Sequence, residues 1–414
     1  MSKRQRWTPV KGTGNRVYDI RERLLLGALD VPGRLLFGAR RALGFGKPPE
    51  VDPSAIREVL VLRLDRIGDV VMSLPALYEL RAALPKARIR LAVGAWSAAV
   101  VRHAPVDEIL VWSAPWAGRG SEGAEGGLGL ARRARDLRGI GLDLALDLQG
   151  DVRSSMLLWL TGARIRAGYA NTGGAGLLTH VIPLDETVSW IEQNRRAVEA
   201  VLGSEIARVT VDPLTDEDRS FAARFRAALG PLRRPLVGVH PSGGRPVKQW
   251  DITRWADVAA LLQREFGATI VVTGSEADKP LAETLAQALQ VPPVDVTGRL
   301  GVRETMAVID ALDLFLSSDT GPMHMACAVD TPSVSVFGPT DPARYFSGGD
   351  GSLGSRHVVI RADLWCSPCN LVRKAPAECL RLSMPECLDL VTVQAVHEEA
   401  ARLLREGGFA ISDS

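Results

Sequence analysis

Short apolar runs that stop on polar, glycine-bearing turns recur along the chain, and most are followed by a segment with apolar residues at helical spacing. Val59 to Leu64 is the first such run; it ends on Arg66-Ile67-Gly68-Asp69, and Val70 to Leu84 follows as a helix. Ile89 to Val93, Glu108 to Trp112 and Leu142 to Leu148 repeat the pattern, Ile165 to Gly176 reads as a turn, and Trp190 to Leu202 and Thr215 to Leu229 read as amphipathic helices. Beyond Gly230-Pro231 a second series begins, with strands at Pro235 to His240, Thr269 to Thr273, Val294 to Gly298, Leu312 to Ser318 and Pro332 to Gly338. Helices are expected at Gly301 to Ala311, Met323 to Val329 and Val391 to Glu406. Strands alternating with helices predict an α/β fold of parallel, doubly wound sheets. A chain of 414 residues exceeds one typical core. Two Rossmann-like domains are therefore expected at 57–230 and 231–390, with an arm and linker at 1–56 and a closing helix and tail at 391–414.

Composition narrows the class. Hydrophobic residues make up 46% and charged residues 24%, as in a globular protein, and a formal net charge of +2 argues against a nucleic-acid partner. No apolar run has membrane-spanning length and no signal peptide is evident, so a cytoplasmic protein is expected. The positive excess is concentrated in the first fifty residues, which hold eleven Lys and Arg against four Asp and Glu. Within them RERLLLGALDVPGRLLFGARRALGF, Arg21 to Phe45, reads as two short amphipathic helices: a peripheral anchor on an anionic membrane surface, or an arm packed on the protein itself.

Candidate chemistry sits where strands end. Leu312 to Ser318 runs into Asp319-Thr320-Gly321-Pro322, and the following helix carries His324. A strand, glycine turn and helix place backbone N–H groups at the helix amino end, where an anion is the natural guest. Asp319 as a helix cap and His324 as a packed histidine are the plainer readings. After Pro235 to His240 the loop Pro241-Ser242-Gly243-Gly244-Arg245-Pro246-Val247-Lys248 offers amides, a hydroxyl and a cation to a phosphate, without the G-x-x-x-x-G-K-[ST] order of a P-loop. Asp69 opens the first helix as a cap or a cleft carboxylate, with Arg63, Asp65 and Arg66 on the same strand end. Asp216-Glu217-Asp218, the one D-x-D, opens a helix and reads as an N-terminal charge cluster. Cys366, Cys369, Cys379 and Cys387 form a C-x2-C with two looser companions, a weaker pattern for a structural zinc than a double C-x2-C. Disulfides or free thiols are the alternatives.

Four blocks taken together resemble glycosyltransferase family 9, the bacterial ADP-heptose:lipopolysaccharide heptosyltransferases. They are R-x-D-x-I-G-D-x-x-x-x-L-P-A-L from Arg63, D-L-Q-G from Asp147, H-P-x-x-x-x-x-x-K-x-W from His240, and S-D-T-G-x-x-H-x-A followed by V-x-V-F-G-P-T-D-P from Ser318. Asp251 follows Trp250 where the family usually has proline. The resemblance implies a GT-B architecture, two Rossmann-like domains facing across a cleft with the final helix, Val391 to Glu406, crossing back to the first, and an inverting glycosyl transfer that needs no metal. It implies Asp69 as catalytic base and Lys248 on the donor diphosphate, with Ser242, Gly243, Thr320 and Gly321 around it. Asp319 and His324 would face sugar and phosphate, Asp319 being a second candidate base; an acid at Asp278, or Glu276 nearby, would bind the nucleoside, with Arg299-Leu300 near the adenine. The implied donor is ADP-heptose. The implied acceptor is a lipid A-core type glycolipid at the cytoplasmic face of the inner membrane. A different donor, a protein or polysaccharide acceptor, or a non-catalytic sugar-nucleotide sensor would keep most of these blocks.

Overall fold

The computed structural model describes residues 48–117, 126–230, 235–349, 351–372, 375–377, 379 and 384–411. The amphipathic arm read at 1–50 lies outside them save its last three residues. So does most of the glycine-rich stretch between Trp116 and Gly129.

Two six-stranded sheets, each parallel throughout, organise the chain. The first has the order β3-β2-β1-β4-β5-β6, from β1 (Glu58–Arg63), β2 (Arg88–Val93), β3 (Glu108–Val111), β4 (Leu144–Asp147), β5 (Ile165–Gly168) and β6 (His180–Val181). The second repeats the plan as β12-β11-β10-β7-β8-β9, from β7 (Leu236–His240), β8 (Thr269–Val272), β9 (Val294–Asp295), β10 (Leu314–Ser318), β11 (Ser333–Phe337) and β12 (His357–Arg361). β7, β10 and β11 are buried at every position because helices cover both faces of a parallel sheet. Their apolar runs follow from that.

Three sequence expectations change. The helix expected from Val70 to Leu84 is two, α1 (Ile67–Val71) and α2 (Leu74–Ala83), because Pro75 lacks an N–H and its ring would meet the carbonyl of Val71 in a continuous helix. Ile165 to Gly168, read as part of a turn, is β5; its four residues pair with β4 from Leu144↔Ile165 to Asp147↔Gly168. The last helix, expected to return to the first domain, packs instead on the second sheet, with Val396, Ala400, Ala401 and Leu404 in one core with Val334 and Val336.

The remaining helices named below are α3 (Gly127–Asp136), α4 (Val152–Thr161), α5 (Trp190–Leu202), α6 (Asp216–Ala228), α7 (Ile252–Phe266), α8 (Lys279–Ala288), α9 (Val302–Asp310), α10 (Gly321–Ala328), α11 (Pro342–Tyr345), α12 (Glu386–Asp389) and α13 (Val393–Glu406). The two sheets are joined by apolar packing: a single cluster runs from Val59 and Val61 of β1 to Phe315 of β10 and Met325 of α10. α6 lies against α9, where Arg226 donates to the Ala311 carbonyl at 2.7 Å and Arg303 pairs with Asp218.

Candidate active site

In each sheet the strand order reverses once, between β1 and β4 in the first and between β7 and β10 in the second. Crevices open at the carboxyl ends of such strands. Asp69, Asp147, Ser242, Gly243, Lys248, Asp319, Thr320, Gly321 and His324 follow these four strand ends.

On the first sheet Asp69 is the third residue of α1. Its carboxylate receives the Arg66 N–H at 3.4 Å, so it does cap the helix, yet its side chain keeps 28% exposure. Arg63, only 2% exposed, is not an open anion receptor. Its guanidinium donates to the backbone carbonyls of Asp69, at 3.1 Å, and of Leu148, and pairs with Asp65 at 3.2 Å. This buried fork ties the β1 and β4 ends together and fixes the backbone that carries Asp69. Asp147 is wholly buried; its carboxylate accepts the N–H groups of Gln149 (2.9 Å) and Gly150 (3.1 Å), and burial pushes it up to about 7. The D-L-Q-G block thus shapes its own turn.

On the second sheet a Cβ on Gly243 would lie 2.4 Å from the Gln249 nitrogen, so only glycine lets this loop fold back on itself. The fold-back delivers Lys248 to Asp319, Nζ to Oδ2 at 2.7 Å. Burial raises the Asp319 carboxyl, but the Lys248 charge and hydrogen bond outweigh it and hold the group below its ordinary value. A carboxylate so paired is a weak proton acceptor, which counts against Asp319 as a base. Thr320 caps α10 in extended conformation without a side-chain bond to the helix amides, and its hydroxyl turns back to the Ser318 carbonyl. The first-turn amides of α10 are left for another acceptor. Ser242 is 8% exposed and bonds to Asp278.

The two halves meet. α1 packs on α10, the Ile67 side chain lies against Gly321, and the His324 ring lies so close to Gly68 that a Cβ there would be 2.5 Å from its Cδ2. Asp69, Lys248, Asp319, Thr320, Gly321 and His324 are thereby drawn into one cluster. Burial drives the His324 imidazole down to about 4, with Asp319 and Asp69 opposing, and its Nδ1 meets the Ser347 hydroxyl. It is neutral at physiological pH. The unfolded chain protonates this histidine below its ordinary value of about 6.5 while the folded chain resists until about 4. The folded form therefore loses stability as pH falls through that window, by up to about 1.4 kcal/mol per pH unit. Melting curves from pH 7 to 4.5 should show a steeper decline for wild type than for His324→Asn.

A second interlobe contact had no signal in the sequence. Arg344 of α11, 8% exposed, donates to the Asp185 carbonyl at 2.9 Å and lies 5.0 Å over the ring of Trp190, the first residue of α5. The Trp190 indole also bonds to Tyr345. His240, which opens the H-P block, ends β7 with its Nδ1 3.2 Å from the Thr273 hydroxyl.

Other expected site residues lie off this cluster. Asp278 caps its own turn through Ser275, at 2.8 Å to the nitrogen and 2.7 Å to the hydroxyl. Glu276 is 71% exposed, pairs with Lys279 at 2.6 Å and overlies Gly298. Leu300 is partly buried against the large core. Asp218 of the D-x-D closes a capping box with Thr215 and pairs with Arg303, so that carboxylate is committed to structure. The zinc expected at Cys366, Cys369, Cys379 and Cys387 is not supported: among the described residues no group of three or more His, Cys, Asp or Glu is placed to hold a metal, and none of the four is in a disulfide. Cys387 turns inward on α12 into the apolar core, where burial first, then the neighbouring thiols, push it up to about 12. It serves there as a small hydrophobe.

Residues 130–380, 251 of the 414, match the sequence model of glycosyltransferase family 9 (heptosyltransferase). The chain belongs to this family. As a family 9 glycosyltransferase it is similar to lipopolysaccharide heptosyltransferase 1 of Pseudomonas aeruginosa, 26% identical over 325 residues that cover 75% of this chain and 85% of that one. Among solved structures it resembles a family 9 glycosyl transferase from Veillonella parvula, with TM-score 0.72, 22% identity and coverage of 87% of this chain and 100% of that chain. It also resembles the Escherichia coli ADP-heptose lipopolysaccharide heptosyltransferase II, with TM-score 0.66, 22% identity, and coverage of 85% and 99%. These likenesses show the GT-B architecture, two Rossmann-like α/β domains.

Proposed function

We propose that this glycosyltransferase moves a heptose from ADP-heptose to a sugar of the lipopolysaccharide core, by a single inverting displacement that needs no metal. The observation that carries the reading is the junction of α1 and α10, which sets Asp69 opposite the Lys248–Asp319 pair and the uncapped amino end of α10. The relative from Escherichia coli named for ADP-heptose supports the donor, and the relatives named for lipopolysaccharide support the acceptor. Residues 57–230 would hold the acceptor and 231–390 the nucleotide sugar. Asp69 takes the proton of the acceptor hydroxyl as its oxygen attacks the anomeric carbon. The carbon–oxygen bond to the diphosphate breaks on the opposite face, which inverts the centre. Lys248, the α10 amides, Ser242 and the Thr320 hydroxyl receive the charge that develops on the leaving nucleoside diphosphate. Asp278 and Leu300 flank the nucleoside, and Asp319 holds Lys248 in place.

The test offers the purified chain a panel of nucleotide sugars with extracted cell-envelope glycolipid and reads product mass, with EDTA and with Mg2+. Heptosylated core from ADP-heptose in EDTA is the expected result. Transfer from another donor, or activity that EDTA abolishes and Mg2+ restores, overturns the corresponding part.

The glycolipid acceptor gives the arm at 1–50 a purpose, anchoring on the cytoplasmic face of the inner membrane. Deleting residues 1–50 is expected to spare activity on soluble, delipidated acceptor, and to lower both co-sedimentation with anionic liposomes and activity on acceptor in vesicles. Salt should weaken that binding, since each basic residue at such a surface contributes about 1 kcal/mol that ions screen. An insoluble or heat-labile truncation that binds vesicles as before makes the arm a packed element.

A further inference from the structure

The outer face of α3 and α4 carries chemistry that the transfer reaction does not use. These helices lie side by side on the face of the first sheet opposite α2: Leu130 and Ala134 of one and Leu157 and Leu158 of the other share a core with Leu60 and Leu62 of β1. Arg138 donates to the Leu160 carbonyl at 2.8 Å and so joins their carboxyl ends. With the inward positions filled, four large apolar side chains remain on the outside: Leu128 is 81% exposed, Trp159 46%, Met156 37% and Ile140 36%. Arg132, Arg133 and Arg135 are exposed on α3 among them, and Asp136 is that helix's sole acid.

We infer that this α3–α4 face docks on an anionic lipid bilayer. Tryptophan and aliphatic side chains enter the interfacial layer of a membrane, while neighbouring arginines lay their stems along it and pair with headgroup phosphates. A two-fold contact between copies of this chain would instead set three arginines against three arginines. The chain's near-zero net charge and the apolar content of the face do not suit a nucleic acid. Crossover helices run antiparallel to the strands they join, so the amino ends of α3 and α4, with Leu128, face the carboxyl edge of the first sheet, the edge at which Asp69 follows β1. Docking on this face sets the acceptor side of the cleft next to the membrane surface. For its purpose the inference rests on the glycolipid acceptor proposed above; its evidence is the face itself.

Full-length protein is sedimented with vesicles of phosphatidylcholine, with and without phosphatidylglycerol. Substituting Arg132, Arg133 and Arg135 together by glutamine is expected to lower partitioning onto the anionic vesicles about a hundredfold, roughly fivefold per charge, and to reduce its salt dependence. Leu128→Ser with Trp159→Ser is expected to lower it by about tenfold or more with the salt dependence kept. Both variants should keep wild-type turnover on soluble acceptor, a readout that reports on the transfer reaction and not on the face. Should either variant fold poorly, hydrogen exchange on the wild-type chain decides: anionic vesicles should slow residues 126–140 and 152–162. Wild-type partitioning in both variants, protection confined to other segments, or loss of a dimer in place of loss of vesicle binding overturns the inference.

Discussion

Asp69→Asn is expected to lower turnover by roughly two to four orders of magnitude, the usual worth of a general base, while leaving the fold and the affinity for donor intact. The substitution separates two roles the structure superimposes. Asp69 accepts the Arg66 N–H at 3.4 Å, and an asparagine oxygen can accept it as well, so the cap survives. What asparagine cannot do is take a proton. The Arg63 fork grips the Asp69 backbone and not only its carboxylate, so α1 stays where it is in the variant. Turnover should be read together with donor affinity by calorimetry and with the melting temperature. Near-wild-type turnover in a folded variant makes Asp69 a cap and nothing more.

Lys248→Ala is expected to cost about a hundred- to a thousandfold in kcat/KM, as the loss of one preorganised group at developing charge does. It should also destabilise the fold by about 3 kcal/mol, because it leaves Asp319, 4% exposed, without its counter-charge. The two losses come apart in Lys248→Ala with Asp319→Asn. The double variant should recover most of the stability and little of the activity, since it removes the stranded charge without restoring a cation for the diphosphate. Recovery of activity along with stability would mean that Lys248 serves the fold alone.

Much of this was legible in the sequence wherever a buried strand met a glycine turn. β1, β7, β10 and β11 announce themselves as apolar runs because a parallel sheet shows no face to water, and the candidate site residues follow β1, β7 and β10. α5 falls at Trp190 to Leu202 as expected, where a Ser189 cap precedes it and Gly203 ends it. β5 was missed because four residues flanked by glycine carry little pattern, and the break in the first helix because Pro75 sits within an otherwise unbroken apolar stripe. Burial is a different kind of information. Nothing in R-L-D-R-I-G-D says that Arg63 is inside and Arg66 more open, and nothing local to Asp319 says that Lys248, seventy-one residues earlier, neutralises it. The Arg344–Trp190 contact joins positions remote in the chain and carries no motif at either end.

That contact bears on the timing of the catalytic cycle. With Arg344 against Trp190 and the Asp185 carbonyl, and with Gly68 against His324, two of the contacts that join the lobes lie beside the candidate site. Separating them exposes a guanidinium that the indole and the carbonyl had sheltered, at a cost of order 2 kcal/mol for a desolvated cation–π contact. Nucleotide release is therefore expected to pace the cycle: turnover should fall as the medium is made more viscous, and Arg344→Ala should raise both kcat and KM.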